Sequence, residues 1–234
     1  MSDVMTYERR RSEIETYFDR TAAETWKKLT STAPVGRVRA SVRRGRDEMR
    51  ATLLSYLPSD LTGLRLLDAG CGTGALAMEA ARRGAEVVAV DLSPTLTTHA
   101  QDLADAQGLG SRIRFVAGDM LDEGFGRFDH VVMMDSLIHY EPADAAMTLG
   151  KLAERTDGSL AITFAPKTPL LAAMHKVGKL FPRGDRSPAI VPIAEARFSA
   201  MVRAEPALSA FEIGRGRRID TGFYKSHALE LRRR

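Results

Sequence analysis

Leu66-Leu67-Asp68-Ala69-Gly70-Cys71-Gly72-Thr73-Gly74 is the stretch that decides the fold. A short apolar run, Leu64–Asp68, leads into it, and a helical pattern from about Gly74 to Arg83 leads out, stopped by Gly84. Glycine removes the side chain where a backbone must turn sharply from strand to helix and touch a ligand. The turn therefore opens a βαβ unit, and the residues that follow repeat the pattern. Glu86–Asp91 reads as a second strand. Ser93-Pro94 gives a helix its N-cap and first-turn proline, and Gly108 closes that helix after about Gln107. Arg112–Val116 and Phe128–Met134 read as strands three and four, Pro142 opens a helix to about Arg155, and Ser159–Ala165 reads as strand five. Strands alternating with helices through short loops predict an α/β fold, a parallel sheet covered on both faces.

The flanks read differently. Residues 1–57 form a helical arm: Ile14, Tyr17 and Phe18 share a stripe, and Thr21-Ala-Ala-Glu24 matches a capping box that predicts a break near Asp19–Thr21. A short helix through Trp26 and Leu29 follows, then a longer one from about Arg37 to Tyr56. Residues 58–165 are the core. Residues 166–206 hold six prolines and a helix near Leu170–Leu180, and read as a cap inserted over the carboxyl edge of the sheet after strand five. Residues 207–234 read as an antiparallel pair, Ala210–Ile219 and Gly222–Leu231, completing that sheet.

Composition narrows the class. The 234 residues suffice for one α/β domain with appendages, 44% are apolar, and no run of about 18 apolar residues exists to cross a membrane. The charged N-terminus lacks the apolar stretch of a secretory signal, and the single cysteine, Cys71, has no partner in the chain. A cytoplasmic protein is expected. The net charge of +4 is uneven: residues 51–165 carry 8 Lys/Arg against 16 Asp/Glu, and the segments on either side are basic. Such flanks are solvated faces or meet an anionic partner.

The order Asp-x-Gly-x-Gly-x-Gly separates two ligand chemistries. Dinucleotide sites use Gly-x-Gly-x-x-Gly and leave a helix N-terminus free for pyrophosphate. An acid immediately before the loop, Asp68, repels pyrophosphate and suits an ammonium. Asp91, 17 residues beyond Gly74, ends strand two, where a carboxylate can accept from both hydroxyls of a ribose. This pattern resembles motif I of class I S-adenosylmethionine methyltransferases. That resemblance implies a Rossmann-like class I methyltransferase sheet and cofactor contacts at Asp68, Gly70, Cys71, Gly72, Gly74, Asp91 and Leu92. Asp119 and Met120 after strand three would take the adenine, and Asp135 after strand four would face the reacting end.

A narrower likeness follows. Tyr17-Phe18 with Thr21 to Trp26, Asp135 to Tyr140, Thr163-Phe-Ala-Pro-Lys-Thr-Pro169, Lys179-Leu-Phe-Pro182 and Arg217-Arg218-Ile219 to Phe223-Tyr224 resemble the magnesium-protoporphyrin IX O-methyltransferases of chlorophyll and bacteriochlorophyll synthesis. The likeness spans nearly the whole chain. It implies methyl transfer from S-adenosylmethionine to one propionate of Mg-protoporphyrin IX, the magnesium belonging to the substrate. Tyr17 and His139 are assigned to the reacting carboxyl. Lys167, Lys179 and Arg183 are assigned to the second propionate. No protein-bound metal is expected, because no His/Cys/carboxylate set has ligand spacing. The likeness also implies hand-over from the porphyrin-binding subunit of magnesium chelatase and loose attachment to membranes. Two other readings stay open: an RNA or other small-molecule methyltransferase, for which the basic flanks speak but no RNA-binding module does, and a ligand-binding regulator on a retired fold.

Overall fold

The computed structural model describes residues 2–22, 26, 36–167 and 189–234. Five parallel strands form in the expected order: β1 (Arg65–Ala69), β2 (Glu86–Asp91), β3 (Ile113–Ala117), β4 (Phe128–Met133) and β5 (Thr156–Phe164). The C-terminal strands β6 (Phe211–Asp220) and β7 (Lys225–Arg233) run antiparallel to each other. The seven-stranded sheet has the order β3-β2-β1-β4-β5-β7-β6. The last strand thus inserts between β5 and β6, with Phe164 opposite His227. This is the class I methyltransferase sheet.

Alternation along the strands makes two cores. Leu67, Val88, Val131 and Ile162 face one side, packed with α1 (Ser2–Thr16), α5 (Pro142–Ala153) and α6 (Glu195–Ala204). Leu66, Val87, Val132 and Ala161 face the other, packed with α2 (Arg37–Ser55), α3 (Ala75–Arg82) and α4 (Pro94–Ala106). A strand buried on both faces needs such a continuous apolar run. The Ser93 side chain caps α4, accepting from the Leu96 amide, with Pro94 at the first turn.

Three local expectations shift. The break near Asp19–Thr21 is a π-helical turn, Tyr17–Ala22, running straight on from α1. Strand β7 begins at Lys225 rather than Gly222, because Gly222 takes φ +84° and donates its amide to the Asp220 side chain, which closes the turn. Within 166–206, α6 is a core element: Phe198 is 1% exposed and stacks on Phe164 at 4.4 Å. Apolar spacing hidden among prolines concealed that helix. The expected helix near Leu170–Leu180 lies outside the described residues, as do Lys179 and Arg183.

Candidate active site

The carboxyl ends of β1, β2 and β4 open into a cavity of about 380 Å³. Its size lies in the lower part of the range of roughly 300–1,000 Å³ occupied by small-molecule sites. One wall is the glycine turn with the strand ends: Gly70, Gly72, Asp91, Leu92, Asp119 and Met120. The opposite wall comes from remote segments, with Tyr7, Tyr17 and Phe18 from the arm, Arg46 from α2 and Tyr224 from the β6–β7 hairpin. Asp135, Ser136 and His139, after β4, lie between the two.

The glycine turn has the conformation that its composition requires. Gly70 takes φ +87°, and a Cβ there would come 2.6 Å from the Ser136 Cβ. Gly74 takes φ +75°, and a Cβ there would meet the Phe115 ring at 2.8 Å. Gly74 and Cys71 stand behind the wall rather than on it, among the described residues. The Cys71 thiol packs against the core and is pushed well above its ordinary range by burial, with Asp91 and Asp68 adding to the rise.

The two motif acids differ. Asp68 is 1% exposed, and its Oδ2 has no hydrogen-bond partner. Burial pushes its carboxyl up to about 7, and the negative charge of Asp91 adds to the rise. Asp91 reaches the cavity. It accepts from the Gly72 amide at 2.8 Å and the Ser93 amide at 3.0 Å, one bond on each oxygen. A carboxylate oxygen has room for a second donor, so Asp91 can still accept from a pair of hydroxyls. Burial raises its carboxyl too. An orphaned acceptor beneath a bare glycine turn and a two-pronged acceptor beside it fit an aminoacyl nucleoside.

Asp119 is tied to the arm. The Tyr7 hydroxyl donates to it at 2.8 Å, Arg11 at 2.7 Å and the Leu121 amide at 2.9 Å. Tyr7 in turn stacks on Tyr140 at 5.3 Å. Burial, then Tyr140 and Asp119, hold the Tyr7 hydroxyl above its ordinary range, so it stays a donor. Asp135, expected at the cofactor, lines the cavity and is engaged by protein as well. Arg46 pairs with it, the Tyr224 hydroxyl donates at 3.0 Å and the Ser226 hydroxyl at 3.3 Å, and its own amide donates to Thr163 Oγ1 at 2.7 Å. These contacts hold Asp135 at φ +58°, a left-handed conformation that aspartate tolerates better than most residues.

Tyr17 and His139 both line the cavity, and Phe18 sits between them: its ring is 5.2 Å from Tyr17 and 6.0 Å from His139, edge-on to each. Phe18 also meets Trp26 at 5.6 Å, over which Arg46 stacks at 4.6 Å. Tyr17 projects from the π-helical turn, a geometry that recurs at functional sites. Lys167 is exposed and is not among the residues lining the cavity; its amide donates to the Ile193 carbonyl at 3.0 Å. Among the described residues no group of His, Cys, Asp and Glu could hold a metal ion.

A family model, "Magnesium-protoporphyrin IX methyltransferase C-terminus", matches residues 133–233, and a general methyltransferase-domain model matches residues 66–156. The magnesium-protoporphyrin O-methyltransferase of Rhodobacter capsulatus is 47% identical over 95% of this chain and 96% of its own length. The chain belongs to the magnesium-protoporphyrin O-methyltransferase family. The Synechocystis member is 32% identical over 93% of this chain and 94% of its own. A crystal structure of the Synechocystis magnesium protoporphyrin IX methyltransferase with bound S-adenosylhomocysteine superposes with a TM-score of 0.81, at 30% identity, covering 96% of this chain and all of that one.

Residue patterns missed part of this magnesium-protoporphyrin O-methyltransferase site. Tyr7, Arg11, Arg46 and Ser226 carry no motif signal. Their roles arise from contacts across the fold, Tyr7 to Asp119 spanning 112 positions. Trp26 and Tyr224 were visible only as letters in the family likeness.

Proposed function

We propose that this protein transfers the methyl group of S-adenosylmethionine to a propionate carboxyl of Mg-protoporphyrin IX, giving the monomethyl ester. The observation that carries the reading is the pairing of full-length family likeness with an intact glycine turn beside an aromatic-walled cavity. The cofactor supplies an electrophilic methyl on a sulfonium. A free carboxylate, with a pKa of roughly 4.3, is already a nucleophile at neutral pH. The protein's task is therefore placement and exclusion of water, worth about 7–11 kcal/mol in favourable cases. Asp91 and the glycine turn hold the cofactor's nucleoside, Asp119 and Met120 meet its base, and Phe18, Trp26 and Ile138 wall off solvent. Tyr17 and His139 orient the acceptor carboxylate as hydrogen-bond donors.

Labelled S-adenosylmethionine offered with Mg-protoporphyrin IX beside an unmethylated RNA pool tests this. Label is expected in the porphyrin ester; label in RNA, or in neither, sinks the reading. His139→Ala is expected to lower kcat by about 10- to 100-fold, the worth of an orienting hydrogen bond to a charged group. Its affinity for S-adenosylhomocysteine should be unchanged. An unchanged kcat would remove His139 from the acceptor.

Peripheral membrane contact belongs to the same proposal. No helix among the described residues is long and apolar enough to cross a membrane. Phe223, 70% exposed at the β6–β7 turn, and Ile190 flank the cavity, and Arg37, Arg39 and Arg44 are exposed along α2. Exposed apolar side chains beside arginines support contact with an anionic bilayer. Hand-over from the porphyrin-binding subunit of magnesium chelatase rests on the family likeness alone.

A further inference from the structure

We infer that Phe223 is a specificity-determining platform for the acceptor: its ring packs against the porphyrin macrocycle at the mouth of the cavity while one propionate arm reaches inside. The inference deepens the substrate reading and rests on it. The cavity holds about 380 Å³, near the lower end of what a small-molecule site occupies. An aminoacyl nucleoside and a carboxyl arm account for that space, and a four-pyrrole ring cannot follow them in. A propionate hangs on a short aliphatic arm. When its carboxylate meets the methyl group inside, the edge of the macrocycle is therefore still at the mouth, and its apolar face needs cover there.

The mouth supplies such cover. Among the described residues three large apolar side chains are exposed: Val38, Ile190 and Phe223. Ile190 and Phe223 line the cavity. Val38 stands one helical turn before Val42, which lines it too, so Val38 continues that face of α2 outward. Scattered apolar residues are ordinary on a surface, whereas exposed ones gathered at one opening mark a binding site. Phe223 is the largest and most exposed of the three, at 70%. The turn that carries it is pinned on both sides. The Thr221 amide donates to the Tyr224 carbonyl at 3.0 Å, the Gly222 amide to the Asp220 side chain at 3.2 Å, and the Thr221 hydroxyl to the Ser41 carbonyl of α2 at 2.9 Å. Tyr224, the next residue, is buried and donates to Asp135. The neighbours of Phe223 are thus fastened while its ring is held out at the opening. A ring positioned in advance loses little freedom on binding, and its face suits a flat π system.

The test follows two ligands on the full-length protein. Mg-protoporphyrin IX in detergent solution is titrated by its own fluorescence with S-adenosylhomocysteine saturating, and S-adenosylhomocysteine alone is titrated by calorimetry. Phe223→Ala is expected to weaken porphyrin binding and raise its KM by about 10- to 100-fold, the worth of burying one such ring, with the loss in KM rather than kcat. S-adenosylhomocysteine should stay within about twofold, and Tm should hold because the ring is exposed. Phe223→Tyr should keep the porphyrin affinity, and Phe223→Leu should recover part of it. Unchanged porphyrin affinity and KM in Phe223→Ala would overturn the inference. Weaker binding to vesicles of anionic lipid with porphyrin affinity unchanged would overturn it too, leaving the ring to the bilayer. Equal weakening of both ligands would also overturn it and make the ring a brace for the hairpin. Binding of S-adenosylhomocysteine but not of Mg-protoporphyrin IX by the unaltered protein would remove the substrate reading and this inference with it, a failure seen before any variant is made.

Discussion

The two walls of the cavity are built by different rules. The glycine-turn wall comes from nearby sequence: strand ends, Gly70 and Gly72, and the acid that closes β2. The opposite wall is assembled from α1, the π-helical turn, α2 and the C-terminal hairpin, segments remote in sequence; α2 meets the hairpin through the Ser41–Thr221 contact, 180 positions apart. Local conformation fixes the first wall, so a side chain added at Gly70 has no room. Packing fixes the second, so its groups are held by partners that can be removed one at a time. The first wall should fail sharply and the second by degrees.

The largest expected effect is at Gly70. Gly70→Ala forces a left-handed β-carbon to within 2.6 Å of the Ser136 Cβ. It should destabilise the fold by about 2–4 kcal/mol and abolish measurable S-adenosylhomocysteine binding. Thermal melts and calorimetry read both, and retained affinity would show the turn to be more yielding than its geometry.

Asp68 sharpens the contrast between a motif acid set behind the wall and Asp135 set on it. Its carboxyl is raised from 3.8 to about 7 in the folded protein. The folded state therefore keeps a proton that the unfolded chain releases near pH 4, and the ligand-free protein loses stability as pH rises between about 4 and 7, levelling beyond. Asp68→Asn should flatten that slope, a change on the order of 4 kcal/mol across the window. Cofactor affinity, favoured by the ionised form, should rise with pH through 7 in the unaltered protein and not in the variant. A parallel pH profile in both proteins would take Asp68 out of the site's electrostatics.

The smallest effect is on the arm. Tyr7→Phe removes the hydroxyl that donates to Asp119 but keeps the ring against Tyr140. A loss of about 1 kcal/mol is expected, with cofactor affinity down by a few-fold. No change would mean that Arg11 alone fastens the arm to Asp119, and a Tyr7→Phe, Arg11→Gln pair would then carry the whole effect.

How much was legible follows from the same distinction. Strand β2 appears at Glu86–Asp91 as read, and the Ser93-Pro94 start of α4 has its cap, because apolar runs and caps are written in consecutive residues. Helix α6 was hidden, because six prolines within 166–206 suggested a cap and masked the burial of Phe198 and Val202. Lys167 read as a ligand for an anion, yet its backbone is bound to Ile193 and its side chain faces water. Cys71, inside the motif, points to the core.

Sequence alone determined the parallel core, the glycine turn, the two acids at the ends of β1 and β2, and the family. Each is encoded in short-range terms: apolar periodicity, residues that tolerate positive φ, and caps. Only the tertiary structure decided which charges face the cavity. It buried Asp68, tied Asp119 to Tyr7 and Arg11, and brought Arg46 to Asp135 across 89 positions. Such pairings depend on how helices and the hairpin dock on the sheet, and no local pattern records where they will meet.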